Sequence, residues 1–417
     1  MLAFPLMNTE KIRYAPVAEG DRIAHLDTLR GFALLGILVM NIQSFSMPGA
    51  AYFFPTAYGD LTGLNYWAWH LADIFARRKF MTIFSMLFGA GVVLMHERSE
   101  ARGRGWAGLH YRRIWWLLVI GLLHAYLLWD GDILVSYAVC GVVIFLFRKV
   151  RPGRLVAAGL LFLAVGWGLM LMAGLSAPHW PPESLAEFNA QWLPDRETID
   201  GILADMRGGW ASEIRHRAPE VLQIQLFFIP FNMFWRAGGC MLLGMALFKW
   251  GWLQGRGRTR SYLAMIALGL LAGVPLTAYT VHLQETSGWA PADSFFVHSQ
   301  YAYWGSVLMA LAYIAVVMLL LRAGVLGALA RRLAAVGRMA LTNYLAQTLI
   351  CTTLMLGHGF GLFGSVPRIW QTVIVVAIWG LQLVWSPAWL GRFRFGPAEW
   401  LWRSLSYMKR QPMRLDR

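Results

Sequence analysis

Apolar runs close to the length of a bilayer crossing, about 20 residues, recur along this chain. They begin near Leu29, Phe80, Ile114, Ile133, Leu155, Val221, Tyr262, Tyr301, Ala340 and Trp370. Uniform runs of that length read as membrane helices. The expected fold class is therefore all-α: a polytopic membrane helix bundle of about ten transmembrane helices. Composition agrees, with 58% hydrophobic and 14% charged residues and a mean hydropathy of +0.49, well beyond what a soluble domain needs.

A net charge of +15 could signal nucleic acid, but the basic residues are not spread over one face. They fall in short groups between apolar runs. The groups Lys11 to Arg30, Arg98 to Arg113, Arg148 to Arg154, Lys249 to Arg260, Arg322 to Arg338 and Arg392 to Arg417 hold 28 of the 37 Lys and Arg. Under the positive-inside rule those faces, both termini included, are cytoplasmic. The expected location is a membrane, with lipid rather than nucleic acid as the surrounding partner. Residues 1 to 22 have no short apolar core ending in a small-residue cleavage site, so the first span is expected to direct insertion. Cys140, Cys240 and Cys351 lie in apolar runs without paired spacing, which argues against disulfides and against a zinc site. No metal-ligand spacing such as HExxH occurs.

The stretch Asn65 to Phe80 would put the second basic group outside if it crossed, so a half-inserted or interfacial helix near 65–79 is expected, with Trp67 and Trp69 at headgroup level. Residues 1–417 are read as one integral domain: a transmembrane bundle over 26–386, an outer loop over 176–220 that could cap a cavity, and a cytoplasmic amphipathic tail over 387–417. No internal repeat is visible.

Polar residues inside the apolar runs are the candidates for chemistry. In GLLHAYLLWDGDIL, Asp130-Gly131-Asp132 forms a tight turn between two spans. Asp132 suits the cap of the following helix, and Asp130 suits water. His124 lies six residues, roughly 9 Å of helix, below that turn. A buried imidazole there needs a partner, so it serves either packing or proton transfer. Six residues is 240° of rotation, so His124 can meet an acid only across the turn or through water. Asp27 and Arg30 can pair at the start of the first span, and Asn41 lies deep within it. Arg236 sits well inside the sixth span and calls for an acidic partner, Asp130 or Asp132 being expected. Asn343 and Gln347 share a face beside Tyr344, in a setting that suits interhelical hydrogen bonding as well as a substrate.

The segments LDTLRGFALLGILVMN, KFMTIFSMLFGAG, GLLHAYLLWDGDILVSYAV, GRMALTNYLAQT and FGPAEWLWRSLSY together resemble the YeiB-like bacterial inner-membrane proteins, a domain of unknown function. That family is similar, more distantly, to transmembrane acyltransferases: the heparan-α-glucosaminide N-acetyltransferase type, and the enzymes that O-acetylate surface polysaccharides. The resemblance implies transfer of an acyl group from cytoplasmic acyl-CoA or acetyl-CoA to an acceptor across the membrane. It also implies a departure. Where the polysaccharide-modifying enzymes carry a histidine in the first span, this chain has Asn41, and the later histidine of the heparan-type enzymes corresponds to Tyr52.

The expected function is then an integral-membrane acyltransferase with a small-molecule or glycan acceptor. His124 would be the base, Asp130 or Asp132 its support, and Asn41 the oxyanion donor. Arg236, Asn343, Tyr344 and Gln347 would contact substrate, and Arg30, Arg112, Arg113 and Arg338 would bind the CoA phosphates, with no metal. The alternative is a proton-coupled small-molecule or lipid transporter using His124, Asp130, Asp132 and Arg236 as its pathway. A homo-oligomer is compatible with either.

Overall fold

The computed structural model describes residues 23–101 and 106–415. Lys11, Arg13, Arg22, Arg102, Arg104 and Arg417 of the basic groups lie outside them. The first half of the chain forms α1 (Ala24–Ser46), α2 (Ala50–Phe53), α3 (Gly63–Phe75), α4 (Lys79–Glu100), α5 (Ala107–Leu127), α6 (Leu134–Ile144) and α7 (Pro152–Ser176). Three more helices, α8 (Pro182–Trp192), α9 (Arg196–Arg207) and α10 (Trp210–Gln223), lead into α11 (Phe234–Lys249), α12 (Thr259–Leu268), α13 (Val274–Thr286) and α14 (Ser299–Arg322). The chain ends with α15 (Gly327–Arg338), α16 (Ala340–Met355), α17 (Arg368–Leu390) and α18 (Pro397–Ser406). Among the described residues there is no β-strand, only an isolated bridge between Phe393 and Arg414.

Among the described residues, seven helical stretches are long and apolar enough to cross a membrane: Ala24–Ser46, Gly63–Glu100, Pro152–His179, Trp210–Lys249, Thr259–Thr286, Asp293–Arg322 and Arg368–Leu390. The remaining three apolar runs become α5, which carries two arginines and two histidines in its 21 residues, and the shorter α6 and α16. Gly63–Glu100 is broken at Ala76–Arg78, where Arg78 takes a left-handed backbone with φ 66°. Its first part, α3, has 13 residues and reaches only about 20 Å, short of a hydrocarbon core. Trp67 is exposed as expected, but Trp69 is buried, packing edge-on against Trp289 with ring centroids 5.5 Å apart. Within Trp210–Lys249, Pro230 has no N–H to donate, and the backbone over Ile224–Met233 widens into π-type turns.

Close helix approach depends on small residues facing backbone, the means by which apolar helices associate in lipid. A Cβ on Gly89 of α4 would lie 2.0 Å from the Met241 carbonyl oxygen of α11, and one on Gly244 of α11 would lie 1.9 Å from that of Met86. Gly31 and Gly337 perform the same service between α1 and α15.

The described members of the six basic groups converge on one end of the bundle, where Arg30, Arg98, Arg113, Arg338 and Arg403 line one cavity. Lys149 pairs with Glu100 at 2.8 Å, and Lys249 donates to the carbonyls of Arg148 and Val150 at 2.7 and 2.8 Å. Arg322 donates to the carbonyl of Gly257 at 3.0 Å, and the guanidinium of Arg113 lies 4.2 Å over the ring of Trp402. The terminal segment is therefore part of the bundle. Helix α17 runs to Leu390, and α18 folds back so that Glu399 caps α16, accepting from the N–H groups of Leu341 and Thr342 at 2.6 and 3.0 Å. Burial raises the Glu399 carboxyl above its usual range. At the opposite end, the loop over 176–220 forms α8 to α10 and docks onto residues 356–366. Arg207 holds the carbonyl of Phe363, and Glu213 accepts from both the backbone N–H and Nδ1 of His358, at 2.9 and 2.7 Å.

This packing has a direct consequence. Gly89→Ala and Gly244→Ala should each lower the thermal midpoint of the detergent-purified protein, an overpacking cost of about 1–3 kcal/mol. Gly168→Ala, with nothing within 4 Å of its added Cβ, should leave it unchanged. Equal behaviour of the three variants would contradict the α4–α11 interface.

Candidate active site

The α5–α6 turn brings the central polar residues together. Gly131 is required there, because a Cβ would lie 2.2 Å from the indole of Trp129. That indole donates to Ser44 Oγ at 3.1 Å and packs on Phe45 with centroids 4.3 Å apart, tying the turn to α1. Asp132 is satisfied on both oxygens. Oδ1 accepts from the N–H of Val135 at 2.9 Å, capping α6, and Oδ2 meets His124 Nδ1 at 2.7 Å. Capping and support of His124 are thus performed by the same carboxylate. The other imidazole nitrogen, Nε2, lies 2.9 Å from the hydroxyl of Thr348 on α16. His124 and Asp132 are both buried, and Thr348 is fully so. With Nδ1–H donated to the carboxylate, Nε2 is left to accept the Thr348 proton. The result is an acid–imidazole–hydroxyl relay from the α5–α6 turn to the middle of α16, with the Tyr344 ring 5.1 Å from the His124 ring.

Asp130 takes another direction. It is half-buried, and the charges acting on it are Glu220, Arg217 and His216 of α10, with burial the largest influence raising its carboxyl above the usual range. The large cavity, about 290 Å³, reaches from the basic end to the turn, and His124, Asp130, Asp132 and Asn41 are not in its wall. Arg30, Arg98, Arg113, Arg338 and Arg403 surround its polar part with Asp27 and Glu399, and Arg30 donates to Asp27 at 2.9 Å. Apolar side chains, among them Leu34, Leu87, Leu117 and Leu134, line the interior, and its inner end includes Ile133 and Tyr344, the neighbours of Asp132 and His124. Arg30, Leu34 and Ile37 face it from α1. Asn41 continues their stripe one turn further, eleven residues or about 20° of rotation from Arg30; it is half-buried, and its amide makes no hydrogen bond among the described residues.

Four expected site residues are placed elsewhere. Arg236 does not meet Asp130 or Asp132. Its guanidinium donates to the Tyr303 carbonyl at 3.0 Å, Thr82 Oγ1 at 3.1 Å and Ser306 Oγ at 2.7 Å, and stands 4.5 Å over the Tyr303 ring. Hydroxyls, a carbonyl and an aromatic face from α4 and α14 do the work assigned to an acid. Asn343 is saturated by structure, donating to Val336 O and Ser386 Oγ and accepting from Trp385 Nε1 at 2.7 Å. Gln347 donates to Gln382 Oε1 at 2.9 Å, so both amides join α16 to α17. Arg112 is not part of the cavity wall and lies against Met408 Sδ at 3.7 Å. Tyr344, Arg30, Arg113 and Arg338 do line the cavity. Sequence reasoning missed Thr348, Arg98, Arg403 and His110, which stacks on Phe145 at 4.3 Å and bonds to the Gly141 carbonyl. Thr348 is the last residue of the GRMALTNYLAQT motif, and a lone threonine in an apolar helix carries no periodic signal.

Comparison with known proteins gives relatives along nearly the full length. The chain is 34% identical to the uncharacterized protein YeiB of Escherichia coli K12 over 93% of this chain and 96% of that one. It is 31% identical to the uncharacterized protein YxaH of Bacillus subtilis 168, over 95% and 97%. It is 28% identical to an uncharacterized protein from the amylase 3' region of Bacillus acidopullulyticus, over 96% and 99%. Residues 247–409 match the family described as a protein of unknown function, DUF418.

Removing one member of the relay leaves a buried donor or acceptor unsatisfied. Asp132→Ala should therefore destabilise the solubilised protein by about 1–3 kcal/mol, more than Asp130→Ala, and should be strongly non-additive with His124→Ala in a thermal double-mutant cycle. Additive losses would mean that the two side chains do not form the bond.

Proposed function

Because the chain belongs to the YeiB-like family of bacterial membrane proteins, no member of which among the relatives above has an assigned activity, we propose its function from the site: an integral-membrane acyltransferase of the inner membrane. The observation that carries this reading is the Asp132–His124–Thr348 relay beside the inner end of an apolar cavity with arginines at its polar part. An acyl-CoA or acetyl-CoA donor suits that cavity. Arg30, Arg113, Arg338, Arg98 and Arg403 would take its phosphates, and the acyl chain would run along Leu34, Leu117 and Leu134 toward Tyr344. The convergence of the six basic groups supports a cytoplasmic position for that end and for both termini. The acceptor, a glycan or small molecule, would come from the other side.

Chemically, His124 Nε2 would take the proton of an acceptor hydroxyl held where the Thr348 hydroxyl now lies. The freed oxygen would attack the thioester carbonyl carbon, the C–S bond would break, and the imidazolium would return its proton to the departing thiolate. Asp132 would hold the tautomer and stabilise the transient positive charge. Asn41, one turn past the cavity's α1 wall, would donate to the developing oxyanion.

The assay is release of free CoA from acetyl-CoA or a longer acyl-CoA by purified protein, in detergent and in vesicles. His124→Ala should lower the rate by about 10²–10⁴-fold while the protein still purifies as a monodisperse species. Asp132→Asn should lower it less, and Thr348→Val by under about tenfold, since its hydroxyl holds a place and forms no bond to the acyl group. A wild-type protein that releases no CoA, yet carries a substrate across vesicles with a pH dependence lost in His124→Ala, would replace this reading with a proton-coupled transporter.

A further inference from the structure

A second polar site lies at the end of the bundle away from the basic groups, where α3 breaks into α4. Arg77, Arg78 and Lys79 follow one another there, and Arg236 stands close enough that its charge acts on Lys79. Asp73 is the one carboxylate among the charges that bear on Lys79, and it is already taken by Arg77 at 2.6 Å. Lys79 is 1% exposed and donates to the carbonyl of Asp73 at 2.9 Å, and Arg78 donates to that of Ser299 at 3.0 Å. Carbonyls satisfy single N–H groups but do not neutralise charge. Buried cations in this excess over carboxylate are costly unless an anion joins them.

Arg78 and Lys79 line a narrow pocket with the Arg77–Asp73 pair, Ser294, Gln284 and the rings of Phe53 and Phe295. The centre of a water-sized sphere can roam over about 20 Å³ inside it, enough for one or two waters or a single compact group. Two polar atoms in its wall have no hydrogen-bond partner among the described residues: the hydroxyl of Ser294, 0% exposed, and Oε1 of Gln284, 5% exposed. The Gln284 amide is oriented by its other end, where Nε2 donates to the carbonyl of Ser294 at 3.2 Å. Its free atom is therefore an acceptor. A ligand that fits must bring negative charge for Arg78 and Lys79, and also an O–H for Gln284 Oε1.

We propose that this pocket binds a phosphate group able to carry one proton near neutral pH, either free inorganic phosphate or the terminal phosphomonoester of a lipid headgroup. Arg78, Lys79 and the Ser294 hydroxyl face its oxyanions, and its P–O–H donates to Gln284 Oε1. Sulfate has the same shape and no proton to give, and chloride has no donor at all, so both leave the Gln284 acceptor bare, and a buried acceptor without a donor weakens binding.

The test is binding of inorganic phosphate to the full-length protein in detergent at matched ionic strength, read by calorimetry and by the thermal midpoint. Phosphate should bind saturably and raise the midpoint, with sulfate and chloride weaker by about tenfold or more. Arg78→Gln should abolish binding. Ser294→Ala, which alters no charge and no helix contact, should weaken it severalfold, and Gln284→Met should bring phosphate down to the level of sulfate. In nanodiscs, phosphatidic acid displacing phosphate where phosphatidylglycerol, a diester, does not would identify a lipid source; failure of both lipids to compete would identify the free ion. No saturable phosphate binding, sulfate equal to phosphate in the wild type, or unchanged affinity in Ser294→Ala and Gln284→Met would overturn the assignment.

Discussion

One carboxylate with both oxygens engaged holds the centre of this bundle. Asp132 closes the first turn of α6 with Oδ1 and fixes the imidazole of His124 with Oδ2. Neither bond has an alternative from water in an apolar interior, so each makes the other worth keeping. The turn geometry follows. Gly131 lets the indole of Trp129 lie against the backbone, the indole reaches α1 through Ser44, and the imidazole reaches α16 through Thr348. A short turn of mixed polarity thereby sets the relation of α1, α5, α6 and α16, which line the large cavity together with α4.

The same rule, that a polar group away from water must be answered, explains the two ends of the molecule. At the basic end the terminal segment is drawn in because Glu399 supplies the acceptor that the first turn of α16 lacks. At the far end Glu213 answers the backbone and ring of His358. Arg236 shows how a charge can be kept in a bundle without a carboxylate, through two hydroxyls, one carbonyl and the face of Tyr303.

Much of the architecture was readable because bilayer length is imposed by physics: each of the ten apolar runs lies in or beside a helix, and the break before Lys79 follows from the charge order around Asn65 to Phe80. The pairing of His124 with an acid across the turn was also legible, since 240° of rotation excluded a shared face with Asp130. The choice of Asp132 and the third member, Thr348, were not. A threonine in an apolar helix looks the same whether it packs or bonds, and its partner is 224 residues away. Arg112 and Arg113 could not be told apart by type, but neighbouring helix positions differ by 100°, which sends one to the cavity and the other to Met408. Asn343 and Gln347 read equally as ligands or as glue, and the positions of Ser386 and Gln382 on α17 decide for glue.

The central claim is that the cavity delivers an acyl group to the His124 layer, and photo-crosslinking tests it most directly. A fatty acyl-CoA carrying a photoreactive group near the thioester, irradiated with the purified protein and mapped by mass spectrometry, should label Tyr344, Leu134 or Ile133, and unlabelled acyl-CoA should abolish the labelling in a saturable way. Labelling confined to the lipid-exposed faces of α7 or α17, unaffected by competitor, would contradict it.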